Sequence, residues 1–152
     1  MRPDGPRHSY ELYIRASAGA VWAVLTDDAK TPLYQHFNMR SQSEFRVGGA
    51  VSWLMGEMTA VAGVIEEFVP PARMVMRFRA LWSPEVAADK PSRVTWELTP
   101  LAENACRLRL IHDDFGGETA TAATVTDGWP EALSRLKTLV ETGEPFFLPA
   151  RG

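Results

Sequence analysis

The chain has 152 residues, 45% hydrophobic and 23% charged, with a formal net charge of −3. At roughly 100–150 residues per domain this predicts one globular domain over residues 1–152, and excludes a disordered or collagen-like chain. The acidic balance argues against nucleic-acid binding, which needs a basic footprint. No apolar run nears the ~18 residues of a membrane span, so no membrane partner is expected. The opening Met1-Arg2-Pro3-Asp4-Gly5-Pro6 lacks the apolar stretch of a signal peptide, and a cytoplasmic location is expected. The single cysteine, Cys106, permits no internal disulfide and is expected to be buried and inert.

In chain order, residues 1–8 read as a loose arm and 10–14 as a short strand. Ser17 is a fitting N-cap for a helix through Val21, Trp22, Val24 and Leu25. Thr31-Pro32 predicts a second short helix over 33–37. The texture then changes to strands: 44–47 ending at Gly48-Gly49, then 51–55, 59–69, 74–82, 93–99 and 106–113. Pro70-Pro71 cannot stay in a ladder and marks a turn; 83–91 reads as a loop. Trp129, Leu133, Leu136 and Val140 recur at i, i+4, i+7 and i+11, one face of an α-helix, with Gly143 as its C′ residue. Pro130 either kinks this helix near Thr126 or forces a fresh start there. Residues 144–152 form a tail. The fold class is α+β, an antiparallel sheet covered by a C-terminal helix.

Alternation sets the registers. The last hairpin pairs Trp96 with Leu110, Val94 with His112 and Glu97 with Arg109, the last as an exposed ion pair. Met74, Met76, Phe78 and Ala80 point inward, Arg77 and Arg79 outward. A four-residue turn at 70–73 sets Val69 opposite Met74 and Glu67 opposite Met76, with Glu66 facing Arg77 in solvent. A three-residue turn at 56–58 places Val51, Trp53 and Met55 inward. The expected concave face is therefore Trp53, Met55, Met76, Phe78, Trp96 and Leu110, with two polar members, Glu67 and His112.

Several segments are familiar together. Ile14-Arg15-Ala16-Ser17-Ala18-Gly19-Ala20-Val21-Trp22 resembles the first strand–helix junction of the SRPBCC (START-like, helix-grip) superfamily. Phe45-Arg46-Val47-Gly48-Gly49, Gly63-Val64-Ile65-Glu66-Glu67 through Pro70-Pro71, and Gly128-Trp129 with Leu133 and Leu136 resemble its heat-shock-protein-90 ATPase activator-like branch. The resemblance covers about residues 10–143. It implies a seven-stranded antiparallel sheet wrapped around a long C-terminal helix, with two short helices after the first strand and a cavity between sheet and helix. It also implies that many members bind hydrophobic small molecules, while some are cyclases. This chain departs from the pattern at Pro130 and at Asp114, within His112-Asp113-Asp114-Phe115, and has no space for the additional N-terminal domain of eukaryotic activators.

The leading expectation is a hydrophobic small molecule, a lipid, polyketide or aromatic, bound by Trp53, Met55, Glu67, Met76, Phe78, Trp96, Leu110, His112, Trp129 and Leu133. The methionines either adapt to a ligand or fill core gaps. A dry void of ~300 Å³ would cost about 7 kcal/mol, so the interior is plugged by large side chains, wet or occupied. A cyclase, dehydratase or hydrolase with Glu67 and His112 as acid and base is the second reading, set against a rim carboxylate and a core histidine. A module regulating a chaperone ATPase or transcription factor is the third. The apolar Phe146-Phe147-Leu148 supports it, or packs on its own domain, or mediates a homodimer. No metal or cofactor is expected: adjacent strand residues His112, Asp113 and Asp114 point to opposite faces, and no P-loop or Gly-x-Ser-x-Gly elbow is present.

Overall fold

A computed structural model describes residues 6–149. Seven strands, β1 (His8–Ile14), β2 (Arg40–Ser41), β3 (Ala50–Met55), β4 (Met58–Val69), β5 (Arg73–Ala80), β6 (Ser92–Ala102) and β7 (Ala105–Asp113), form one antiparallel sheet in the order β1-β7-β6-β5-β4-β3-β2. Helix α1 (Ala18–Leu25) follows β1, with the Ser17 hydroxyl accepting from Ala20 N–H at 3.1 Å as its cap. Two 3-10 turns, Thr31–Leu33 and His36–Asn38, lead to β2. One-turn α2 (Pro84–Ala87) lies in the β5–β6 connection, capped by Ser83, where the sequence suggested only a loop. After β7 come α3 (Ala120–Thr124) and the long α4 (Gly128–Thr142), which ends at Gly143 with φ +80°.

Pro130 does not kink α4. The helix starts afresh at Gly128, and Pro130 sits in its first turn, where a missing N–H breaks no helical bond. The expected strand at 44–47 is not formed. Gly49 instead returns the chain so tightly that a Cβ there would lie 1.8 Å from the Glu44 carbonyl oxygen, and Gly48 N–H donates to Ile65 O at 2.8 Å. The helix expected over 33–37 is replaced by the two 3-10 turns. Of the arm expected at 1–8, residues 1–5 lie outside the described residues, and His8 already pairs with His112. Residues 150–152 of the tail also lie outside them.

The β6–β7 register is as expected, with Trp96 opposite Leu110 and Val94 opposite His112. Glu97 lies opposite Arg109 but binds Arg73 on the neighbouring strand at 2.7 Å. The β4–β5 register differs from expectation at one point that matters. The turn holds three residues, closed by Ala72 N–H on Val69 O, so Val69 faces Arg73 and Glu67 faces Val75. A bulge at Glu66 then restores Ile65 to Met76. Both glutamates consequently project outward: Glu66 to Arg77 at 3.0 Å and Glu67 to Arg73 at 3.2 Å. The β3–β4 turn holds two residues, not three, and a bulge between Trp53 and Leu54 keeps Trp53 inward.

The core lies between the inner face of the sheet and the helices, and includes Ile14, Val21, Met76, Trp96, Leu108, Leu110 and Leu136. Cys106 is fully buried, and burial pushes its thiol pKa up. Among the described residues no helix is long and apolar enough to cross a membrane. Gly63 on β4 packs under the β5 backbone, where a Cβ would meet Arg77 O at 1.8 Å. Gly63→Ala should therefore lower unfolding free energy by about 2 kcal/mol or more, read as a fall in the urea midpoint at constant m-value.

Candidate ligand-binding site

The centre of the molecule is an aromatic joint between sheet and helix. Trp129, in the first turn of α4, meets Trp53, Trp96 and His112 edge-on, at centroid separations of 6.3, 5.6 and 5.9 Å. An indole nitrogen only donates, so Trp129 Nε1–H gives its proton to His112 Nδ1 at 3.0 Å. The His112 proton therefore sits on Nε2 and is donated to Ser92 Oγ at 2.6 Å. The Ser92 hydroxyl in turn donates to Phe78 O at 3.3 Å. Every polar atom of this chain of bonds is matched. Burial, with a smaller contribution from His8, lowers the His112 pKa to about 3, so the ring is a neutral structural link.

This joint fills the middle of the concave face and leaves an open cavity of about 470 Å³ on one side. Its walls come from β3 (Trp53, Met55), β4 (Ala60, Val61), β5 (Phe78), Trp82 and Trp129. The 35–39 segment and the α3–α4 junction form its rim, where Phe37, Thr124 and Asp127 are exposed. The volume lies within the ~300–1,000 Å³ of small-molecule sites, and the walls are chiefly aromatic and aliphatic.

One buried charge holds the rim in place. Arg135, 1% exposed on α4, donates to Gln35 O at 2.9 Å, Leu33 O at 3.2 Å, Asn38 Oδ1 at 2.8 Å and Phe146 O at 2.9 Å. It also pairs with Glu131 one turn earlier at 3.0 Å. Glu131 Oε1 lies 2.9 Å from His36 Nδ1. Burial pushes the Glu131 carboxyl up, but the bonds from His36 and Arg135 outweigh it and hold the pKa below its ordinary value. Within this cage Phe37 and Asn38 both adopt left-handed backbone, φ +57° and +52°.

The expected site residues divide into four groups. Trp53, Met55, Phe78 and Trp129 line the open cavity. Met76 and Trp96 line a second, much smaller one. Leu110, His112 and Leu133 are buried and line neither. Glu67 is corrected outright: its side chain is 52% exposed on the outer face, paired with Arg73, because of the shorter turn and the bulge. Glu67 and His112 thus stand on opposite faces of the sheet and form no acid–base pair. Trp82, the 35–39 segment and Arg135 were missed. Only Glu131 and Arg135, at i and i+4, offered a signal in the sequence.

A family model described as Activator of Hsp90 ATPase homolog 1-like protein matches residues 15–141. The chain belongs to this family. No curated protein matches it. Its fold is shared with an HSP90 activator from Plasmodium falciparum, at TM-score 0.72 and 22% identity over 93% of this chain and 99% of that one. It is shared equally with CalU16 from Micromonospora echinospora, at 0.69 and 20% over 93% and 82%. The Aha1 dimer from Colwellia psychrerythraea gives 0.71 and 14% over 91% and 98%.

In this Hsp90-activator-homolog-like chain, the Gly128-Trp129 pair has a clear physical role. A Cβ on Gly128 would press to 3.2 Å from the His36 ring, while Trp129 makes the bond to His112. The unusual Asp114, at φ +58°, binds Arg77 at 2.8 Å and Lys90 at 2.9 Å. Those two cations lower its pKa to about 2. The buried histidine also predicts a pH dependence. An unfolded-state imidazole takes up a proton below its usual ~6.5, which the folded ring refuses down to about 3, so stability falls as pH drops through that window. Urea unfolding at pH 7, 6, 5 and 4 should show the wild type losing stability more steeply than His112→Gln, by up to about 1.4 kcal/mol per pH unit. Equal slopes would mean that His112 titrates normally in the fold.

Proposed function

We propose that this chain is a non-catalytic binding module whose open cavity takes an apolar small molecule of lipid, polyketide or aromatic kind. The observation that carries the reading is the cavity of about 470 Å³ beside the Trp129 joint, walled by Trp53, Met55, Phe78 and Trp82. A space of that size with aromatic walls favours a hydrophobic guest held by area and shape, with few polar contacts. His112 has both nitrogens engaged and Glu67 lies outside, so the two residues that the sequence suggests for acid–base chemistry do not support turnover.

The test is binding of the uncharged dye N-phenyl-1-naphthylamine, read by its fluorescence. The expected result is saturable one-to-one binding that Ala60→Phe, which grows a ring into the cavity, weakens at least about tenfold with little change in the urea midpoint. Absence of saturable binding to the wild type would overturn the reading.

A second reading, regulation of a chaperone ATPase, is favoured by the family match and by likeness to an HSP90 activator. The exposed apolar residues Phe37, Phe146, Phe147 and Leu148 support it as surface for a protein partner, and support a homodimer equally. This reading expects the chain to raise ATP turnover by an Hsp90 chaperone in a coupled assay. Unchanged turnover at saturating chain would count against it.

A further inference from the structure

Of all buried side-chain polar atoms among the described residues, one has no hydrogen-bond partner: Nε1 of Trp96, on a residue only 2% exposed. A buried donor left unmatched is costly, so its position is informative. Trp96 does not line the open cavity. It lines the second one, of about 20 Å³, together with Thr31, Tyr34, Ser41, Ser43, Met74 and Met76. The other polar side chains there are matched. Ser41 donates to Asp28 at 2.6 Å and lies 2.8 Å from the Ser43 hydroxyl. Thr31 donates to Asp27 O at 3.3 Å and shares a bond with the Tyr34 hydroxyl. Trp96 is thus a lining residue of the small cavity that carries an unmatched buried donor, and the cavity has room for about one oxygen atom at ~10–15 Å³ per water-sized sphere.

Trp53 lines both cavities. It contacts Phe78 and Trp129 edge-on at 5.8 and 6.3 Å, and the two spaces share it as a lining residue. We propose that the small cavity is the polar end of the ligand site, where Trp96 Nε1–H receives a carbonyl oxygen of an otherwise apolar molecule seated in the open cavity. This inference rests on the cavity reading above and narrows it from any apolar guest to an apolar ketone, ester or quinone. An acceptor oxygen can come from two sources, a ligand carbonyl or a trapped water, and the experiment separates them.

The probes are benzophenone and 1,1-diphenylethylene, which share shape and differ in C=O against C=CH₂. Kd values are measured for wild type and Trp96→Phe. The expected result is that the substitution weakens benzophenone about 3- to 10-fold, the worth of one net hydrogen bond, and changes the hydrocarbon less than about twofold. Equal effects on both probes would overturn the carbonyl assignment while leaving the cavity reading intact. Failure of both probes to bind the wild type would overturn both. Should Trp96→Phe not fold, the assigned Trp96 indole N–H resonance of the wild type gives the same answer. It should move downfield with benzophenone and not with the hydrocarbon. A resonance indifferent to which probe is bound would mean that a trapped water satisfies the donor, and would overturn the proposal.

Discussion

The bond from Trp129 to His112 is the constraint on which the rest of the architecture depends. It fixes the start of α4 against β7, and through Ser92 and the Phe78 carbonyl it reaches β6 and β5. Three tryptophans, Phe78 and His112 then pack around that point, most of them edge to face. Such packing fills the centre of the concave face with rings, and the open cavity lies beside them. The cavity is therefore off-centre, against β3, β4 and the 35–39 segment, instead of running along the helix.

The outer face of the sheet obeys a different rule. Arg73, Arg77, Arg93 and Arg107 each meet a carboxylate: Glu67 and Glu97, Glu66 and Asp114, Asp113, and Glu11. Exposed pairs of this kind add little stability individually, about 0–1 kcal/mol each, but they hold the arginines in register across the strands. The bulge at Glu66 serves the same face by turning two consecutive glutamates toward two arginines. One extra residue in β4 thereby removed the only carboxylate expected inside the cavity. The inner face is left to aromatic and aliphatic groups, with His112 as a neutral member, which suits recognition by shape more than proton transfer.

Among the described residues, Arg135 is the one buried side chain that carries a charge, and it has structural work. Arg135 binds the Leu33 and Gln35 carbonyls of the segment that holds the two 3-10 turns, and also the start of the C-terminal tail, with Glu131 as its counter-ion. A segment with two left-handed non-glycine residues needs such over-determination to persist. The 35–39 part of the rim is thus anchored to α4, the same helix that carries Trp129.

Strict alternation made much of this legible in the sequence. In β5, β6 and β7 the apolar set can be buried in only one register, so Trp96 opposite Leu110 and the inward Met76 and Phe78 follow from the order of residues alone. The period of Trp129, Leu133 and Leu136, bounded by Gly143, likewise determined α4. What lay beyond reach were events that alternation does not encode: a turn of three residues instead of four, the bulge at Glu66, and the tight return at Gly49. The turn is closed by a local bond, Ala72 N–H on Val69 O, while the bulge and the return at Gly49 are tied together by bonds between distant segments, as when Gly48 N–H finds Ile65 O. The placement of Glu67, the matched state of His112, the Arg135 cage and the position of Trp53 beside both cavities were decided by tertiary structure alone. They are set by which neighbours a polar atom meets after the sheet curves and the helix docks, and a linear pattern of residue types does not specify those neighbours.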